Sequence, residues 1–185
     1  NERYVFDKSQ GANRKIKTTS FVSTNKMDIV QGINGGYKDT LFKRTVIFLK
    51  PNLVIFLDEI ISENSVKVSQ YFNLSPHIEI KEVMDSKIRM ISDNEIIEFE
   101  QINDVDSVNI HKGQVNPPKA IISEQFGKTT KINQLEFSKA VNSDYLLTAI
   151  KLGKEAIDNF SSASFDKINR LISIEMSNQN IQFYV

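Results

Sequence analysis

Thr45-Val46-Ile47-Phe48-Leu49 and Leu53-Val54-Ile55-Phe56-Leu57 are two unbroken apolar runs, and only Lys50-Pro51-Asn52 separates them. Proline presets one turn angle and asparagine tolerates the next, so the segment reads as a β-hairpin. A strand with one wet face alternates apolar and polar residues, and these strands do not. Both their faces are therefore expected to be buried, as in the central strands of a packed sandwich.

Outward from the hairpin the β signal continues. Val66, Val68, Gln70, Phe72 and Leu74 share one face by period-two alternation, and Ser75-Pro76 ends that strand. Further short strands are expected at 78–80, 87–91, 95–99, 105–111, 135–137, 145–150, 165–168, 170–175 and 180–185. Asp85-Ser86 and Ser92-Asp93-Asn94 are turn signals, and Asn34-Gly35 reads as another hairpin turn. Val115-Asn116-Pro117-Pro118-Lys119 reads as a loop, because neither proline can donate to a ladder. The one helical suspect is Leu146 to Ile157, with Gly153, Thr148 and Ile150 against it.

Composition agrees. Ile, Val and Thr number 24, 13 and 8, against 10 Leu and 6 Ala, and branching at Cβ suits a pleated surface. Strands at short intervals with polar turns describe an all-β antiparallel β-sandwich. No linker-like run interrupts them, so residues 1–185 form one domain. The chain begins with Asn1 rather than Met, so it reads as a fragment of a longer protein.

Several function classes fall away. Lys plus Arg and Asp plus Glu number 23 each, so no basic excess points to nucleic acid or an anionic membrane. No apolar run is long enough for a membrane-spanning helix. Cysteine is absent and histidine is limited to His77 and His111. That removes disulfides, thiolate zinc sites and cysteine nucleophiles. No cofactor or metal is expected.

Four stretches together are similar to one known family. They are Gly36-Tyr37, the run Lys43 to Pro51, the run Val54 to Glu59, and Gln70-Tyr71-Phe72-Asn73-Leu74. They resemble the C-terminal domain of heparinase II/III-like polysaccharide lyases. The likeness continues more faintly at Val115-Asn116-Pro117, Gln125-Phe126-Gly127 and Tyr145 to Ala149. The resemblance implies an α/α toroid followed by a large β-sandwich, of which this chain would be most of the second part. It further implies a bacterial parent enzyme, periplasmic or extracellular, that cleaves an acidic polysaccharide such as a glycosaminoglycan by β-elimination. The catalytic Asn, Tyr and His would lie largely on the missing toroid, leaving the fragment inactive alone. Asn1 and the run Phe6 to Gln10 stand near a family His-Asn pair whose histidine would precede this chain. Asn73 stands where the family often has a histidine, and since asparagine is a poor zinc ligand no metal site is carried over.

Tyr37, Lys43 and Arg44 are the candidate substrate-binding residues. Ammonium and guanidinium groups suit uronate carboxylates or sulfates, and a tyrosine can stack on a sugar ring. The plainer alternative pairs Arg44 with a carboxylate of a neighbouring strand and leaves Tyr37 covering a sheet edge. Asp58 and Glu59 suggest a paired-carboxylate site, but adjacent strand residues point to opposite faces. Asp104 and Asp106 lack the glycine and terminal glutamate of a calcium loop. His77 and His111 read as exposed turn residues.

Two readings of function stay open. One is a wall of a lyase's substrate cleft. The other is a non-catalytic carbohydrate-binding or structural sandwich module, against which the absence of Trp counts. Separated from a neighbouring toroid, the domain is also expected to expose an apolar patch of roughly several hundred Å2 and to self-associate.

Overall fold

The computed structural model describes residues 16–37, 39–116 and 118–185. The run Phe6 to Gln10 and Asn1 lie outside the described residues, as does Pro117. In chain order the first strands are β1 (Ile16–Ser23), β2 (Met27–Tyr37), β3 (Thr40–Leu49), β4 (Leu53–Ser62) and β5 (Val66–Asn73). Then come β6 (Glu79–Met84), β7 (Lys87–Ser92), β8 (Glu95–Gln101) and β9 (Ser107–Lys112). Two ribbons follow, β10 (Gln114–Val115) with β11 (Pro118–Lys119) and β12 (Ile121–Gln125) with β13 (Lys128–Lys131). The chain closes with β14 (Asn133–Val141), β15 (Asp144–Leu152), helix α1 (Gly153–Asn159), β16 (Phe160–Asp166), β17 (Leu171–Met176) and β18 (Gln179–Tyr184).

An eight-stranded sheet, β1-β2-β3-β4-β15-β8-β7-β6, is the spine. Two three-stranded sheets, β5-β14-β9 and β16-β17-β18, cover it. The β3–β4 hairpin is in register from Thr40 opposite Ser62 to Leu49 opposite Leu53. Ile47, Leu53, Ile55, Leu57, Leu147 and Ala149 of the spine pack with Phe165, Ile172, Ile174 and Phe183 of the sheet formed by β16, β17 and β18. Phe56, one residue off that set, points the other way, its ring 5.4 Å edge-on from Phe72 of β5. Phe72 in turn meets Phe99 and Phe137 at 5.0 and 6.1 Å. The two covers therefore lie on opposite faces, which is why the hairpin strands carry no polar alternation. The antiparallel sandwich expected from the sequence is present, with a layer on each side of its large sheet.

Some local expectations are corrected. Asn34-Gly35 is not a hairpin turn: both residues lie inside β2, at a register irregularity between Asn34 and Tyr37. There the Asn34 side chain accepts the Gly36 N–H at 2.8 Å. The helical suspect divides at Gly153: Leu146–Leu152 is strand, and α1 begins where Gly153 takes φ +80°. A left-handed glycine lets the chain leave the ladder there without steric cost. The loop at 115–119 contains the ends of the β10–β11 ribbon, with Val115 opposite Pro118. A two-residue ribbon asks little of a proline that cannot donate.

The cover formed by β16, β17 and β18 is fastened by charge as well as by apolar contact. Arg170, at φ 58°, sends its guanidinium to the buried Glu59 of β4. Its Nη2 donates to Oε2 at 2.8 Å, Nη1 donates to Oε1, and Nε donates to the Val185 carbonyl at 3.1 Å.

Candidate functional site

The β5-β14-β9 sheet packs over β15, β8 and β7 through Leu74, Ile88, Met90, Phe99, Leu135 and Phe137. It stops at its edge strand β5, so β2 and β3 extend past it. The resulting cleft has a volume of about 580 Å3. Val30 and Gly32 of β2 with Arg44 and Val46 of β3 form its floor, and Val68, Gln70 and Tyr71 of β5 its wall. Tyr37 and Phe42 close one end, their rings tilted with centroids 4.9 Å apart.

Arg44 stands opposite Asp58 in the β3–β4 register. Its Nε and Nη2 each donate to an Asp58 oxygen at 2.6 Å. The hydrogen bonds it donates to the Asp58 carboxylate hold the guanidinium above its ordinary pKa. Gln70 completes the seat: its Nε2 donates to Asp58 Oδ2 at 2.8 Å, and the Thr148 hydroxyl lies 2.7 Å from its Oε1. The Arg44 side chain stays half exposed, 5.5 Å from the Phe56 ring centre. Of five guanidinium N–H groups two serve Asp58, so the others remain for a ligand.

All three sequence-predicted residues line this cleft. Arg44 is also ion-paired, as its plainer reading required. Lys43 differs from the expectation in direction: its ammonium lies 3.6 Å from Glu59, with Arg170, on the other face of the sheet. Asp58 and Glu59 thus serve separate arginines on opposite faces, and form no paired-carboxylate site.

A second constellation went unread in the sequence. Glu136 of β14 is buried on the outer face of the β5-β14-β9 sheet. Ser69 and Tyr71 hydroxyls donate to its Oε1 at 2.8 Å, and Lys119 Nζ lies 3.3 Å from its Oε2. His111 Nε2 stands 2.5 Å from the same Oε2. Burial raises the carboxyl's pKa, but hydrogen bonds from His111, Ser69, Tyr71 and Lys119 outweigh it and take it to about 2. His111 is therefore a part-buried strand residue and not an exposed turn histidine. His77, by contrast, is exposed just past the end of β5. Among the described residues no group of three His, Asp or Glu side chains comes together as a metal site.

The signal for part of this was present. Gln70 falls on the apolar face of its strand, and a buried amide needs partners. Nothing local says that they are Asp58 and Thr148. The Glu136 seat draws on β5, β9, β11 and β14, and no spacing rule joins positions so far apart.

Fold and site together define an antiparallel β-sandwich domain with an arginine-bearing cleft at its overhang. The family model for the heparinase II/III-like C-terminal domain matches residues 1–169, and the chain belongs to that family. Among solved structures, heparan sulfate lyase HepC from Pedobacter heparinus is similar, with TM-score 0.71 and 14% identity over 92% of this chain and 28% of that one. The heparinase III encoded by BT4657 gives TM-score 0.72 and 16% identity over 92% and 28%. Another heparinase III gives 0.69 and 17% over 91% and 27%. The chain spans a little over a quarter of the length of these proteins. At these identities the likeness shows a shared fold. No curated protein matches the chain.

Proposed function

We propose that residues 1–185 are the C-terminal sandwich of a polysaccharide lyase and supply one wall of its substrate cleft. The substrate is an acidic, uronate-containing polysaccharide, cleaved by β-elimination. A base removes the proton beside the uronate carboxylate, and the glycosidic oxygen leaves from the next carbon. The other wall, with the base and acid, belongs to an α/α toroid earlier in the same protein, so this domain is silent alone.

The observation that carries this reading is the half-exposed Arg44 at the floor of the cleft. Asp58 and Gln70 fix the guanidinium, and its spare N–H groups can meet a carboxylate or sulfate with little loss of side-chain freedom. Tyr37 and Tyr71 also line the cleft, Tyr71 with its hydroxyl already held by Glu136. Lys43 is not in the contact set, because Glu59 already holds its ammonium.

The test is lyase activity of the full-length parent on a panel of uronate polysaccharides, read as absorbance of the unsaturated product, with the 185-residue domain run in parallel. Activity in the parent alone, lowered at least roughly tenfold by Arg44→Ala, supports the reading. Inactivity of both, with saccharide binding by the domain, moves the function to a binding module.

A further inference from the structure

At one end of the β5-β14-β9 sheet, three segments enclose a second pocket of about 300 Å3. They are Ser75-Pro76 past the end of β5, Lys112-Gly113 at the end of β9, and Lys131 to Asn133 at the start of β14. Backbone bonds knit this rim together. Leu74 N–H donates to Asn133 O at 2.9 Å, Gly113 N–H to Ile132 O at 3.2 Å, and Ile132 N–H to Ala120 O at 2.9 Å. A Cβ at Gly113 would stand 2.4 Å from Lys131 Cβ and 2.9 Å from its Cα. Position 113 therefore has no room for a side chain, and its glycine lets the two strand ends meet.

The pocket's charge is one-sided. Lys112 and Lys131 both line it, and no carboxylate does. Among the described residues neither lysine has an ion pair or a side-chain hydrogen bond. Lys119, Lys139 and Lys87 on nearby strands are paired with Glu136, Asp144 and Glu100, and of the unpaired lysines nearby only Lys112 and Lys131 line this pocket. In a chain with equal numbers of acids and bases, two unmatched cations sharing one concavity make a local positive potential.

We infer that this pocket is an oxyanion subsite that takes a sulfate or carboxylate group of an anionic saccharide. The inference rests on the proposed function of the cleft and extends it. β5 joins the two places: Tyr71 lines the cleft and Ser75 the pocket. Four residues of extended chain separate them by about 13 Å, a gap a short oligosaccharide spans. A saccharide held at Arg44 and long enough to follow β5 to its end would meet Lys112 and Lys131 at raised effective concentration.

The experiment is calorimetric titration of the 185-residue protein with three probes: a sulfated uronate hexasaccharide, the corresponding disaccharide, and sodium sulfate. The wild type is compared with the double variant Lys112→Ala/Lys131→Ala, whose fold is checked by circular dichroism. Both substitutions lie on exposed side chains. The expected result is a roughly five- to tenfold loss of hexasaccharide affinity in the variant, with disaccharide binding unchanged. Equal hexasaccharide affinity in the two proteins overturns the subsite and leaves the cleft reading standing. Sodium sulfate binding as tightly as the hexasaccharide, and lost in the variant, overturns the saccharide assignment in favour of a free-anion site. Absence of hexasaccharide binding by the wild type overturns the subsite, while the cleft reading is decided separately by the lyase activity of the full-length parent.

Discussion

On the Glu59 face of β4 an arginine from the covering sheet meets the spine, and on the Asp58 face the spine runs out past its cover. The two carboxylates are adjacent in sequence, each is buried, and each is gripped by an arginine through two bonds. What differs is the arginine's origin. Arg170 arrives from the cover and ties it to the spine, whereas Arg44 belongs to the spine itself and lines the cleft. The same type of ion pair is a fastening in one setting and, on the proposed function, a prepared binding surface in the other. Which role it takes depends on how far the covering sheet extends, a property of tertiary structure and not of the pair.

That contrast makes predictions of descending size. Leu57→Ala empties a fully buried position on the Glu59 face and is expected to lower unfolding free energy by about 2–5 kcal/mol in urea denaturation. Val30→Ala, on the cleft floor and already 38% exposed, is expected to cost about 1 kcal/mol or less. Equal losses would mean that the cleft floor is packed in solution. Arg170→Ala leaves Glu59 buried with Lys43 alone, and a loss of about 2 kcal/mol is expected in the same assay. Arg44→Ala should cost less stability, because Gln70 still donates to Asp58, while it removes saccharide binding. A larger loss for Arg44→Ala than for Arg170→Ala would invert the proposed division of roles.

The third prediction concerns pH. Glu136 titrates near 2 in the folded state, against an ordinary 4.5, so the unfolded chain binds its proton more readily. Its contribution to stability is complete above about pH 4.5 and fades as the pH falls toward 2. Glu136→Gln should flatten that part of the stability curve relative to wild type, as followed by denaturant midpoints at each pH. An unchanged slope would mean that the hydrogen bonds around Glu136 do not persist in solution. The smallest effect is expected at Lys81, whose pair with Glu79 is exposed on both sides: Lys81→Ala should shift stability by no more than about 0.5 kcal/mol.

How much of this the sequence disclosed follows from the range of the forces involved. The β3–β4 hairpin was legible because a turn and two apolar runs are local, and their lack of alternation already implied two covers. β1 and β2 were not anticipated as strands. Every residue of β1 is exposed, so no burial imposes a clear apolar period on it. The cleft was half legible. Tyr37 and Arg44 were singled out through a resemblance, but Lys43 next to Arg44 turns to the opposite face, as alternation requires. Asp58 looked structural and is, while it also seats the arginine at the cleft. His111 was read as exposed because its anchor, Glu136, is 25 residues away, and only the β9–β14 pairing brings them together.

The wall and floor of the cleft belong to different sheets, so among the described residues no ladder of backbone bonds joins β5 to β3. Gln70 spans from one to the other, reaching Asp58 and Thr148. Drift at the single codon for residue 70 can therefore alter the spacing of the groove while every strand keeps its register. A single substitution there can retune the groove without insertions or a change of topology.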